Sequence, residues 1–90
     1  MAEPLTDLQR VLRLSERLRL LIAVSDEVPI DTKLNTQGVL EMFEATVGSA
    51  TSTDDQARAA GYYQLLHREL EPFADLEALL AAMRVFAPYL

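Results

Sequence analysis

The side chains with the greatest potential for acid–base or metal chemistry lie in the third quarter of the chain. His67 is the only histidine, and it precedes Glu71 by four residues, a spacing that places both side chains on one face of a helix. Such a pair could share a proton or a ligand, and Tyr62 and Tyr63 could line a pocket beside it. Catalysis also needs a third group that orients the base, and the sequence offers none here. We therefore predict a surface histidine with a local polar contact, and tyrosine rings that are buried with their hydroxyls near water.

Other motifs for metals, cofactors or nucleophiles are missing from the sequence. The chain has no cysteine, which excludes disulfides and thiolate chemistry. The acidic stretch 25–34 lacks the alternating ligands, central glycine and final glutamate of a calcium loop. A carboxylate metal site of the helical-bundle type needs Glu-x-x-His, and Gln64 stands where that glutamate would be. No serine lies in a Gly-x-Ser-x-Gly turn, and three widely separated glycines cannot form a phosphate-binding loop. We predict no catalytic residue, no cofactor and no metal.

A row of arginines is the second chemical feature. Arg10, Arg13 and Arg17 follow the spacing i, i+3, i+7 and therefore form one ridge along a helix. The first helix is basic, whereas the remainder of a chain with a net charge of −6 is acidic. The ridge could pair with acidic helices of the same chain or dock an acidic partner. A DNA-reading helix would follow a tight turn in a domain with a positive face, so we expect no nucleic-acid binding.

The arginine ridge also permits an alternative function. Arginines between helices can hold the carboxylate of a small ligand. The alternative prediction is an enzyme or binder with an inter-helix pocket that joins the ridge to Tyr62, Tyr63 or His67. Whether the ridge faces a concave pocket or open solvent would distinguish this alternative from a protein-interaction module.

Helices must position all of these side chains, because apolar residues recur throughout at the spacing of an amphipathic helix. We predict an all-α fold, a compact four-helix bundle-like domain that spans residues 1–90 as a single domain. The predicted helices cover residues 6–24, 36–47, 54–70 and 73–86. We expect the first and the last of them to be central.

Capping signals and prolines determine the predicted boundaries of the first two helices. Thr6 to Gln9 fits a capping box. Pro29 and its polar neighbours predict a connector over residues 25–34, which either packs Val28 and Ile30 on the core or carries a single helical turn. Asn35 or Thr36 would then cap the second helix, and a left-handed Gly48 would end it.

Similar signals mark the last two helices. Thr53 heads a second predicted capping box, with Asp54 and Asp55 in the first turn. Gly61 in mid-helix indicates a close crossing with another helix. Pro72 suits the first position of the fourth helix, which should stop before Pro88.

The first helix is more apolar than a one-sided core requires. Its apolar arc is about 180° wide, whereas a surface helix needs a stripe of about 100°. Leu20 and Val24 continue the arginine ridge, so the last turn is apolar nearly all round. The cover could be the remaining helices, a second copy of the chain or a different protein.

The fourth helix is also rich in apolar residues, and the tail Tyr89–Leu90 is hydrophobic enough to dock on something. We therefore predict a small non-enzymatic protein-interaction module that presents the apolar faces of the first and last helices to a second copy of itself or to a helix of a partner protein, with a homodimer as the first expectation. The candidate interaction residues are Leu14, Leu18, Leu21, Met83, Phe86, Tyr89 and Leu90.

No membrane association is predicted. The longest apolar run, Leu20 to Val24, is far shorter than the ~18–20 residues of a membrane span. The N-terminal residues MAEPLTD have neither the positive nor the apolar region of a secretory signal. We expect a cytoplasmic protein.

Overall fold

The computed structural model of the protein describes residues 5–49 and 52–90. These ranges contain the helices α1 (Asp7–Val24), α2 (Ile30–Gly48), α3 (Thr53–Leu70) and α4 (Ala74–Phe86). α1 packs against α2 and α4, and α3 packs against the same two helices. The predicted all-α, four-helix architecture is confirmed. The expectation that the first and last helices are central was wrong, because each helix packs against two neighbours around a shared core.

The second helix begins earlier than predicted, at Ile30. Pro29 is its N-cap residue, with φ −60° and ψ 152°. The proline ring fixes φ near this value, and the missing N–H costs nothing at a helix start. The Thr36 hydroxyl, predicted to cap the helix, instead donates to the Thr32 carbonyl oxygen at 2.7 Å inside it. Pro29 therefore starts the helix where the sequence suggested a longer connector.

The connector between α1 and α2 is consequently short, covering only residues 25–29. Val28 is buried as predicted, whereas Ile30 is 67% exposed and does not reach the core. Ile30 occupies the first turn of α2, on the side away from the buried stripe that contains Leu40 and Phe43. The early helix start thus turns an expected core residue outward.

Two caps test the predicted helix starts directly. The capping box of α1 is confirmed: the Gln9 N–H donates to the Thr6 hydroxyl at 3.1 Å, and the Thr6 N–H donates to Gln9 Oε1 at 2.9 Å. The cap of α3 is Ser52, not Thr53, and its hydroxyl accepts from the Asp55 N–H at 3.2 Å. Serine is the better capping residue of the two, which accounts for the shift by one position.

Other predicted boundary features differ from the structure. Gly48 is the last residue of α2, and none of the glycines in the described ranges has a positive φ. A Cβ built on Gly61 meets nothing within 4 Å, so the expected close helix crossing was wrong. α4 begins at Ala74 with Phe73 as N-cap, because Pro72 belongs to the turn after α3.

All four helices contribute to the core, and the end of the chain completes it. The Arg84 guanidinium donates two hydrogen bonds to the Leu90 carbonyl oxygen, at 3.3 and 3.1 Å. Leu90 is buried and Tyr89 packs beside it, so the prediction that the tail docks is confirmed: it docks on this chain's own core. Within residues 5–49 and 52–90, the helices are too short or too polar to cross a membrane.

Candidate interaction surface

The structure places most of the predicted interaction residues inside the fold. Leu18, Met83 and Leu90 are buried in the core. Three others are partly buried and pack against that core: Leu14, Phe86 and Tyr89. Leu21 keeps 38% of its surface exposed. The apolar arc of α1 is therefore covered mainly by helices of the same chain.

Exposed apolar side chains concentrate around the α1–α2 turn instead. We call four of them the turn patch: Leu20 and Val24 on α1, and Ile30 and Leu34 on α2. Their exposed fractions are 61%, 74%, 67% and 62%, respectively. On both helices the patch residues are four apart and thus share one side of the helix. The sequence signalled the α1 half, through its all-round apolar last turn, but not the α2 half.

Two sets of polar contacts hold the halves of the turn patch in place. Near the turn, the Lys33 ammonium donates to the Ala23 carbonyl oxygen at 3.1 Å. Farther along, the fully buried Ser15 hydroxyl donates to Glu44 Oε1 at 2.7 Å, and the Arg19 guanidinium pairs with the same carboxylate. These contacts join residues that are 10 to 29 positions apart. Local sequence patterns therefore gave no signal for them.

The arginine ridge lies mostly in solvent. The Arg10 guanidinium sits over the Phe86 ring, 5.3 Å from its centroid, which engages it with α4. Arg13 and Arg17 are exposed and line a shallow depression of about 380 Å³ beside Leu20. Among the described residues, neither of these two arginines has a carboxylate within 4 Å. The basic end of α1 thus adjoins the turn patch directly.

An acidic groove adjoins the turn patch on the other side. We call it the turn groove; it lies between the α1–α2 and α3–α4 turns and has a volume of about 690 Å³. Its apolar lining includes Val24, which it shares with the turn patch. Three carboxylate side chains line it as well, those of Asp26, Glu27 and Asp75, and no lysine or arginine of the described residues does. The groove combines an apolar surface with negative charge.

A third concave region, of about 500 Å³, lies between α3 and α4. His67 Nδ1 is 3.3 Å from Glu77 Oε1, so the predicted surface histidine has its polar contact across helices and not with Glu71. The Arg84 guanidinium lies over the Tyr63 ring, 5.2 Å from its centroid. Burial raises the pKa of the Tyr63 hydroxyl, an effect opposed by Arg84 and reinforced by Glu77.

The predicted arginine–tyrosine pocket does not form from the residues proposed for it. The ridge belongs to α1 and the tyrosines to α3, and these helices occupy opposite corners of the bundle. Arg84 stands beside Tyr63 instead, but its guanidinium is occupied by the Leu90 carbonyl oxygen. Arg84 of α4 therefore contacts both Tyr63 of α3 and the C-terminal tail. Across the described residues, no three metal-ligating side chains cluster.

Comparisons with known proteins add no family. No family model matches the chain, and no curated protein or solved structure is significantly similar to it.

Proposed function

We propose that the protein is a small, non-enzymatic helical module that associates with a second copy of itself through the turn patch. One observation carries the proposal: four large apolar side chains around a single turn are 61–74% exposed. The core of the chain is already closed by its own helices and tail. Large apolar side chains that are exposed together near one turn are typical of a protein-interaction site.

The energetics of the turn patch suit a reversible dimer. Complete burial of a large aliphatic side chain contributes about 1.5–3 kcal/mol. The patch residues are about two-thirds exposed, so each would contribute roughly 1–2 kcal/mol. A symmetric dimer buries each of them twice, a gain comparable with the ~4–15 kcal/mol that association costs in lost freedom. Further contacts must therefore set the affinity and the orientation.

The proposed setting is the cytoplasm. The chain contains no cysteine, and proteins of reducing compartments do not depend on disulfides. A second copy of the same chain is the proposed partner because a two-fold axis pairs one surface with the identical surface of the other copy.

Sedimentation velocity across the micromolar range tests this function. We expect concentration-dependent dimerisation of the wild-type chain and a weaker dimer for Val24→Gln. Val85→Gln is the matched control, because Val85 on α4 is also a valine that is 74% exposed, and it should leave dimerisation unchanged. A wild-type chain that stays monomeric, or equal effects of the two substitutions, would refute the proposed function.

A further inference from the structure

Helix α1 and the turn after it display three chemical zones in a row. Arg13 and Arg17 form a basic zone, and Leu20 and Val24 follow as an apolar zone. Asp26 and Glu27 then form an acidic zone on the turn groove, which also contains Val24. Basic, apolar and acidic surface thus succeed one another within about 15 residues.

Among the described residues, neither charged zone forms an ion pair, although Glu16 lines the same depression as Arg13 and Arg17. Arg13, Arg17, Asp26 and Glu27 are all exposed, and none of the four is within 4 Å of an oppositely charged group of the described residues. The turn groove gains a third carboxylate from Asp75 of α4. The acidic groove could therefore receive a cationic side chain without displacing an existing ion pair.

Two copies of this surface have complementary charges only when their α1 helices run antiparallel. A helix rises about 1.5 Å per residue, so Arg17 and Arg13 lie about 4.5 and 10 Å from Leu20 along the axis. Val24 lies about 6 Å from Leu20 on the opposite side, and the acidic turn follows it. At both ends of the interface, an antiparallel second copy places Arg13 over the carboxylates of the turn and Arg17 beside Val24 at the edge of the turn groove, whereas a parallel copy places like charges together.

We propose that the turn groove receives Arg13 and Arg17 of a second copy of this chain, with two antiparallel α1 helices related by a two-fold axis near Leu20. This inference rests on the proposed function and specifies the geometry of the dimer. The interface is isologous, because each copy supplies one pair of arginines and one groove. Arg10 takes no part, since its guanidinium lies over Phe86.

The charged zones fix the orientation of the dimer, and the turn patch supplies its apolar contact. Opposite charges across an interface speed encounter and exclude wrong registers. Salt weakens such attraction between exposed groups. The dimer should accordingly weaken as the salt concentration rises.

Charge reversal tests the arrangement. The double variants R13E/R17E and D26R/E27R each place like charges at both ends of their own homodimer. We expect each to self-associate at least about tenfold more weakly than the wild type, because juxtaposed like charges oppose association. An equimolar mixture restores opposite charges at both ends and should form a heterodimer of near wild-type affinity.

A matched control for R13E/R17E has the same change in net charge at a different place. R58E/R68E alters two exposed arginines of α3 and should dimerise like the wild type. Circular dichroism confirms the fold of each variant, and the neutral variants R13Q/R17Q and D26N/E27Q replace any charge-reversed chain that does not fold. Each neutral variant should lower the affinity and its dependence on salt.

The outcomes separate this inference from the function on which it rests. A monomeric wild-type chain would overturn both the proposed dimer and its antiparallel arrangement. The groove would then have to bind the arginines of a different protein. A wild-type dimer that weakens with Val24→Gln but ignores the charge reversals overturns only the antiparallel arrangement. The same holds if both reversals abolish self-association and the mixture does not recover it.

Discussion

Removal of the Glu44 side chain should loosen the junction that sets α1 against α2. Glu44 accepts a hydrogen bond from the Ser15 hydroxyl at 2.7 Å and pairs with the Arg19 guanidinium. The side chains of Arg19 and Glu44 are 36% and 23% exposed, so water screens the pair and its contribution is about 1 kcal/mol. Ser15 is completely buried, and a buried hydroxyl without a partner costs about 1–3 kcal/mol. For Glu44→Ala we expect a loss of about 2–4 kcal/mol.

Urea unfolding followed by circular dichroism, at one fixed protein concentration, measures this loss. Thermal unfolding gives a second measure: a domain of this size loses about 4–8 °C of melting temperature per kcal/mol, so Glu44→Ala should lower the melting temperature by about 8–32 °C. The matched control is Glu41→Ala, one turn earlier on α2, because Glu41 is exposed and its truncation should change the free energy of unfolding by less than about 0.5 kcal/mol.

A double-mutant cycle identifies the physical cause. Ser15→Ala removes the hydroxyl that Glu44→Ala leaves without an acceptor, so the double variant should be more stable than the sum of the two losses implies. Additive losses, or equal effects of Glu44→Ala and Glu41→Ala, would refute the reasoning about this junction.

Further changes test the cap, the core, a glycine and a tyrosine. Thr6→Ala removes the hydroxyl of the α1 capping box and should lower the free energy of unfolding by about 1 kcal/mol in denaturant titrations. Leu18→Ala should cost about 2–5 kcal/mol in the same assay because it opens a cavity, and Leu20→Ala, measured in dilute monomer, should cost under about 1 kcal/mol. Gly61→Ala should raise the free energy of unfolding by up to about 1 kcal/mol, and the melting temperature with it, because the added methyl meets open space. Tyr63 has a pKa above its ordinary 10.0 because of burial; its protonated form therefore stabilises the fold below pH 10, and that contribution disappears as the pH rises through the folded-state pKa. Stability measured against pH should fall less steeply in alkali for Tyr63→Phe.

The sequence was informative about helices because their signals are local. The capping box at Thr6 could be predicted because its two side chains, Thr6 and Gln9, are only three residues apart. The start of α2 could not. A proline such as Pro29 is equally typical of a helix-breaking connector and of the position just before a helix. In the structure Val28 is buried and anchors the turn, and the helix begins directly after Pro29.

The candidate surface was harder to predict than the helices. Periodicity showed that the apolar arc of α1 was too wide, but it assigned Leu18 to an interface when α1 buries it in the chain's own core. Leu20 and Val24 were the informative residues for the turn patch, because they make the last turn of α1 apolar nearly all round. Ile30 was missed because the helix it belongs to was expected to begin after it.

The spacing of side chains by itself determined the all-α class, the breadth of the apolar arc of α1 and the order of basic, apolar and acidic residues along α1 and the turn after it. Those features depend only on the 3.6-residue period and on charge. Tertiary structure decided which part of each apolar arc is covered, because that depends on the positions of neighbouring helices. It brought Ser15 to Glu44 across 29 residues and the α3–α4 turn to the α1–α2 turn. An uncovered patch beside an acidic groove is therefore a property of the packed bundle, which no single helix contains.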